Sequence, residues 1–148
     1  MAKLWKKGRG KLGPFDPLIG AWVATADSPQ GPVTCRRVFA RAAGSAVVIL
    51  TAVWEFGQTR YEELAVFAPG DDGGLAFWSF TSDGKRSTGK LAAAPDLHPE
   101  ALTFEAQMPA GLARQAYWPD PGGGFLWMVE SRNKNGWKRF VEHHYRQA

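Results

Sequence analysis

The chain has 148 residues, among them seven tryptophans, nine phenylalanines and one cysteine, with a net charge of +4. That length suits one domain with one core, and the lone Cys35 excludes an internal disulfide framework or a multi-thiolate metal site and favours a reducing, cytoplasmic setting. The charge does not make a nucleic-acid footprint: five of the eighteen basic residues lie in the acid-free opening "MAKLWKKGRGK", and the rest of the chain holds thirteen basic against fourteen acidic residues.

Residues 1–14 therefore read as a basic, flexible tail, and 15–148 as a near-neutral folded domain. The stretch "LIGAWVATA" with Ala24 and Ala26 mimics a secretory cleavage site, but the preceding "GPFDP" puts Asp16 and two prolines where an apolar region should begin. No apolar run reaches the roughly eighteen to twenty residues of a membrane-spanning helix.

From there on, Gly, Pro, Asn and Asp punctuate the chain at short intervals, with strand-length runs between them. Nine breaks are legible, at 27–32, 42–45, 56–58, 69–74, 82–85, 94–100, 109–111, 119–124 and 133–136, which predicts ten strands. "SDGK" and "NKNG" carry the Asp-Gly and Asn-Gly pairs of tight hairpins. Even "AVVILTAVWEF", the longest apolar run, is β-branched and aromatic and favours a strand over a helix. Ten sequential antiparallel strands left open would have two unpaired edges, so the prediction is all-β: a single up-and-down barrel, closed and large enough to enclose a cavity.

In "PLIGAW", Gly20 and Trp22 form a Gly-x-Trp signature just ahead of the first predicted strand. Together with the meander over 18–147 and the late basic residues of "WKRFVEHHYR", this resembles the calycin superfamily of lipocalins and fatty-acid-binding proteins. The resemblance implies a β-barrel with a hydrophobic pocket, in which Arg146 or Arg139 of the last strand packs over Trp22. The break at 27–32 is too short for a helical lid and the chain stops at a strand, so the chain is most similar to small bacterial lipocalin-like domains of unknown function. A more distant similarity is to nitrobindins, haem barrels with a C-terminal axial histidine, which would make His143 or His144 the haem ligand; "GAWVATADSP" lacks their glycine-rich repeat.

Alternation sorts the adjacent histidines. Trp137, Arg139, Val141, His143 and Tyr145 form the more apolar face, so His143 is expected inward and His144, between Glu142 and Arg146, outward. An inward imidazole could ligate a metal, hydrogen-bond a ligand or simply belong to the wall. His98, between prolines in "PDLHPE", is expected in a solvated loop.

"GKRSTGK" at 84–90 approaches a phosphate-binding loop, but Leu91 stands where a Ser or Thr is needed and Pro95 forbids the following helix; it reads as a hairpin turn and strand. No Gly-x-Ser-x-Gly elbow occurs, and Glu62 and Glu63 must face opposite ways, so no pattern points to catalysis. The aromatic residues carry the larger signal, with Trp54, Tyr61, Trp78, Tyr117 and Trp127 among those expected to wall a pocket, unless they simply fill it. In "RYEELAVF", Tyr61 and Glu63 share a face with Ala65 and Phe67. The expected function is reversible, non-catalytic binding of a small hydrophobic or amphipathic molecule, with Arg139, His143 and Tyr145 holding a polar or anionic head group. The alternatives are haem binding and protein–protein association through an exposed aromatic patch, including a homodimer.

Overall fold

The computed structural model describes residues 3–148. Ten strands follow one another: β1 Gly20–Ser28, β2 Gly31–Ala42, β3 Val47–Phe56, β4 Thr59–Pro69, β5 Leu75–Thr81, β6 Arg86–Ala92, β7 Leu102–Met108, β8 Gly111–Pro119, β9 Phe125–Asn133 and β10 Gly136–Gln147. Each strand pairs antiparallel with its sequence neighbour, and β10 returns to β1 to close the barrel. The closing seam is short, with register pairs Trp22↔Gln147 and Val23↔Arg146 and a further bond from the Ala148 N–H to the Ala21 carbonyl at 3.0 Å. Every predicted break falls at an observed turn or loop, because each holds residues that tolerate the backbone a reversal demands.

"GKRSTGK" is the turn and strand expected of it, with β6 running Arg86–Ala92. Gly89 serves packing here: a Cβ at that position would lie 2.4 Å from the Phe77 ring and 2.6 Å from the Glu105 carbonyl oxygen. The glycine lets the ring of Phe77 lie flat against the barrel wall.

One end of the barrel is plugged from below. A short 3₁₀ helix, Gly13–Leu18, sends Phe15 and Leu18 into the lumen, where both are fully buried. Phe15 packs at 4.7 Å from Phe67 and 6.1 Å from Phe104, and Phe39, Phe77 and Phe125 complete the aromatic floor. Trp22 belongs to this end, its indole N–H donating to the Leu18 carbonyl at 2.8 Å and its ring meeting Phe125 edge-on at 5.0 Å. Ahead of the helix, Leu12 is buried, Lys11 Nζ donates to the Gly73 carbonyl at 2.7 Å, and the Leu4 and Trp5 amides donate to the Glu100 carboxylate at 3.1 and 3.0 Å. The segment from Leu4 to Leu12 is thus tied to the turns of the plugged end. Among the described residues no helix is long and apolar enough to cross a membrane.

Alternation around the lumen places Val33, Cys35, Arg37 and Phe39 of β2 inward, opposite Leu50, Ala52 and Trp54 of β3. In β10 the alternation is interrupted. The ladder to β9 runs Arg139↔Glu130 and then Val141↔Val129, so Phe140 is an extra residue, a β-bulge. Before the bulge, towards the open end, Arg139 faces outward with Glu130, and after it Val141, His143 and Tyr145 face inward. The expectation that Arg139 shares a face with His143 fails for that reason.

Candidate functional site

Above the aromatic floor lies a polar layer built around Arg37. Its guanidinium crosses the lumen fully buried, Nε donating to the Tyr145 hydroxyl at 3.1 Å and Nη1 to the Tyr117 hydroxyl at 2.9 Å, while Nη2 has no partner. It lies 4.0 Å from the Trp127 ring centroid and 5.5 Å from that of Trp54. Burial opposes its charge, but the oxygens of Tyr117, Tyr145 and Glu63 outweigh that, and it titrates above the ordinary arginine range. Burial pushes the Tyr145 phenol up to about 12 and the Cys35 thiol up to about 11, so both stay protonated at neutral pH.

Beyond that layer the lumen is not filled. A cavity of about 460 Å³ opens between the rings of Trp54, Tyr61, Phe104 and Trp127 and the small side chains of Ala106 and Ala113. A neighbouring lobe of about 370 Å³ lies towards β1 and β10, sharing Trp54, Tyr61 and Trp127 and reaching Val33 and His143. Phe140 lies at the edge of both lobes and is 61% exposed, so the bulge sets an apolar ring at their rim. Trp54 packs 5.4 Å from Tyr61 and 6.3 Å from Trp127, and the Trp127 indole is held by its N–H donating to Gln115 Oε1 at 3.1 Å.

Two charged side chains line the cavity, Glu63 and, at its outer edge, Arg114. Ser79 Oγ donates to Glu63 Oε2 at 2.5 Å, and the register places Glu63 beside Ala52, which is itself opposite Arg37. The small Ala52 leaves the two charges apart, close enough for the carboxylate to raise the arginine's pKa without a direct bond.

Trp54, Tyr61, Glu63 and Trp127, read as pocket residues, line the cavity. Trp78 does not: it faces out from β5 and is 40% exposed. Tyr117 and Tyr145 are inward but lie deeper, as the acceptors of Arg37. Arg139 is outside, donating to Glu130 at 2.9 Å and Glu142 at 2.6 Å, so it cannot hold a ligand in the lumen. Arg146 also faces out and binds Asp120 at 3.1 Å and the Gly123 carbonyl at 2.6 Å; the inward Trp22 is capped by Phe125 instead of by either arginine.

The histidine pair divides as alternation predicts. His144 lies outside, 3.3 Å from Asp120 and 3.1 Å from Glu142. His143 is inward and 8% exposed, its ring 5.4 Å from Trp127 and 6.0 Å from Tyr145, with Nδ1 buried and unpartnered. Burial first, then the charges of Arg37 and His144, push it down to about 4, so the imidazole is neutral at pH 7. His98 stacks on Trp118 at 6.3 Å, in a loop covering the outer wall.

Arg37 went unread, although alternation across "VTCRRVF" sets it in one row with Val33, Cys35 and Phe39; a charge in an apolar row was the available signal. Fold and site together define a closed ten-stranded antiparallel barrel with a polar middle layer and a half-open apolar cavity. No protein-family model matches the chain, and no curated protein matches it significantly.

Proposed function

We propose that the protein is a calycin-like carrier that reversibly binds a small hydrophobic or amphipathic molecule in its lumen, without turnover. The observation that supports this is the unfilled, ring-walled space of about 460 Å³, within the range of about 300–1,000 Å³ common for small-molecule sites. A barrel of this size can fill its lumen with side chains. Here the inward positions at 106 and 113 are alanines, which leave room beside the fixed rings of Trp54 and Trp127. Ala113→Phe should fill the cavity from β8 without touching the floor. The expected result is loss of Nile red binding, with far-ultraviolet circular dichroism unchanged. Dye binding equal to that of the wild type would reject the cavity as the binding site.

Two other readings have weaker support. A neutral inward imidazole suits an axial haem ligand, but its free Nδ1 is enclosed, and the Trp127 and Tyr145 rings stand 5.4 and 6.0 Å from it, crowding the space a macrocycle would need. Association through the outer wall draws on the register Val38↔Thr51↔Leu64↔Phe80, which aligns three exposed apolar side chains across β2 to β5 beside Trp78.

A further inference from the structure

The polar chemistry of the lumen is arranged unevenly about the cavity, and that asymmetry bears on the ligand. The groups that could receive an anion are withdrawn from it. Arg37 is wrapped by two phenol oxygens and covered by the Trp127 ring at 4.0 Å. Arg114, at the cavity's outer edge, commits its guanidinium to Glu130 at 2.8 Å and Asp96 at 2.8 Å on the outside of the wall. Arg139 lies on the outer face ahead of the bulge, and the inward His143 is neutral.

What meets the cavity instead is a carboxylate among aromatic rings. Glu63 is positioned by Ser79 through Oε2, and no other side chain among the described residues hydrogen-bonds it. Tyr61 lies on the same inward row of β4, and the Trp54 ring is 5.4 Å from it; Trp127 stands 6.3 Å further round. Ring faces beside a carboxylate attract an ammonium group twice, through the aromatic quadrupoles and through charge-assisted hydrogen bonds. An anionic head at the same point would meet Glu63 directly, while Arg37, with its unpartnered Nη2, is buried behind the cavity wall and does not line it.

We propose that the cavity selects an amphiphile whose polar end is a protonated amine, bound by the Glu63 carboxylate within the Trp54, Tyr61 and Trp127 rings. This rests on the reading of the cavity as a small-molecule site. Arg37 then has a second role: its charge lies one small residue away from Glu63 across Ala52, so the buried cation supports the carboxylate from behind while Glu63 itself lines the cavity.

The test uses three probes of equal chain length, decylamine, decanol and decanoate, titrated into the full chain at pH 7 and low salt by tryptophan fluorescence. An alkylamine is fully protonated and an alkanoate ionised at that pH. The expected order is amine tightest and carboxylate weakest, with at least about a tenfold gap between them, a difference of about 1.4 kcal/mol. In Glu63→Gln, which keeps an oxygen for Ser79, the amine should fall to the affinity of decanol. Decanol binding with an amine no tighter than decanoate would overturn the head-group assignment and leave the cavity reading intact. If none of the three binds, the cavity reading itself fails. An amine preference that survives Glu63→Gln unchanged would also overturn the assignment, because the carboxylate would then not be its source.

Discussion

Removing either phenol that holds Arg37 should destabilise the barrel by far more than an ordinary Tyr→Phe change. Tyr117→Phe deletes the acceptor 2.9 Å from Nη1, and Tyr145→Phe the one 3.1 Å from Nε, in a guanidinium that already has one unpartnered nitrogen. Hydrogen bonds to charged groups contribute about 1.5–3 kcal/mol, and here no water replaces the lost oxygen without entering a closed layer. Each substitution should therefore cost about 2 kcal/mol and, with a urea slope of about 2 kcal/mol per molar, lower the unfolding midpoint by about 1 M. Arg37→Met removes the charge but strands both hydroxyls and forfeits the stack on Trp127, for a cost of about 3 kcal/mol. The triple variant Arg37→Met, Tyr117→Phe, Tyr145→Phe removes the guanidinium together with both hydroxyls that it holds. It should be about 2 kcal/mol more stable than Arg37→Met alone, as when a buried ionic cluster is replaced whole. Urea unfolding followed by tryptophan fluorescence measures all four proteins. If both single tyrosine variants unfold within about 0.3 M of the wild type, the phenols are not compensating the buried charge and the reasoning fails.

His143 binds its proton more weakly in the fold than in the unfolded chain, so its contribution is intact above pH 6.5 and is lost as pH falls from there towards about 4. The loss should reach roughly 3 kcal/mol, and His143→Gln should flatten the stability profile measured across that window. Gly89→Ala forces a methyl into the Phe77 ring and the Glu105 carbonyl, and should lower stability by about 1–3 kcal/mol in chemical denaturation without altering the strand order. Ser45 sits at φ +68° in the turn between β2 and β3, where glycine has no steric penalty; Ser45→Gly should raise stability by up to about 1 kcal/mol, read as a higher melting temperature. Glu130, buried on the outer wall, accepts from Arg114 and Arg139 at 2.9 Å each, and Glu130→Ala should cost about 2–3 kcal/mol in urea unfolding.

The strand count and the closed barrel were legible because a meander declares itself locally: each reversal needs residues such as the Asp83-Gly84 or Asn135-Gly136 pairs, and these mark the chain wherever they fall. Inward parity was legible as long as alternation was unbroken, which is why Tyr61, Glu63 and His143 were placed by sequence. It failed at Arg139, since Phe140 adds one residue to β10 and no composition rule announces a bulge. It failed again at Trp78, where an aromatic side chain on the outer wall looks in sequence like one on the inner. The Arg37 layer joins β2 to β8 and β10, across sequence separations of 80 and 108 residues, and nothing local marks Tyr117 and Tyr145 as its acceptors. The plug is the other omission: "GPFDPL" reads as a loop, and only closure of the barrel turns Phe15 and Leu18 into its floor.

These placements separate the work of the two ends. The plugged end packs Phe15, Phe39, Phe67, Phe104 and Phe125 in direct ring contact, so its interior is dense and any change of volume there is felt as stability. The open end keeps its large rings at the walls and alanines between them, which lowers packing but leaves space. The halves meet at Phe77 and Phe104, floor rings that also line the cavity. Between β2, β8 and β10 the Arg37 layer separates them, and displacing it would break two hydrogen bonds of a buried charge. The same buried cation that is costly to the fold thus divides the dense half of the lumen from the hollow one on the side of β2, β8 and β10.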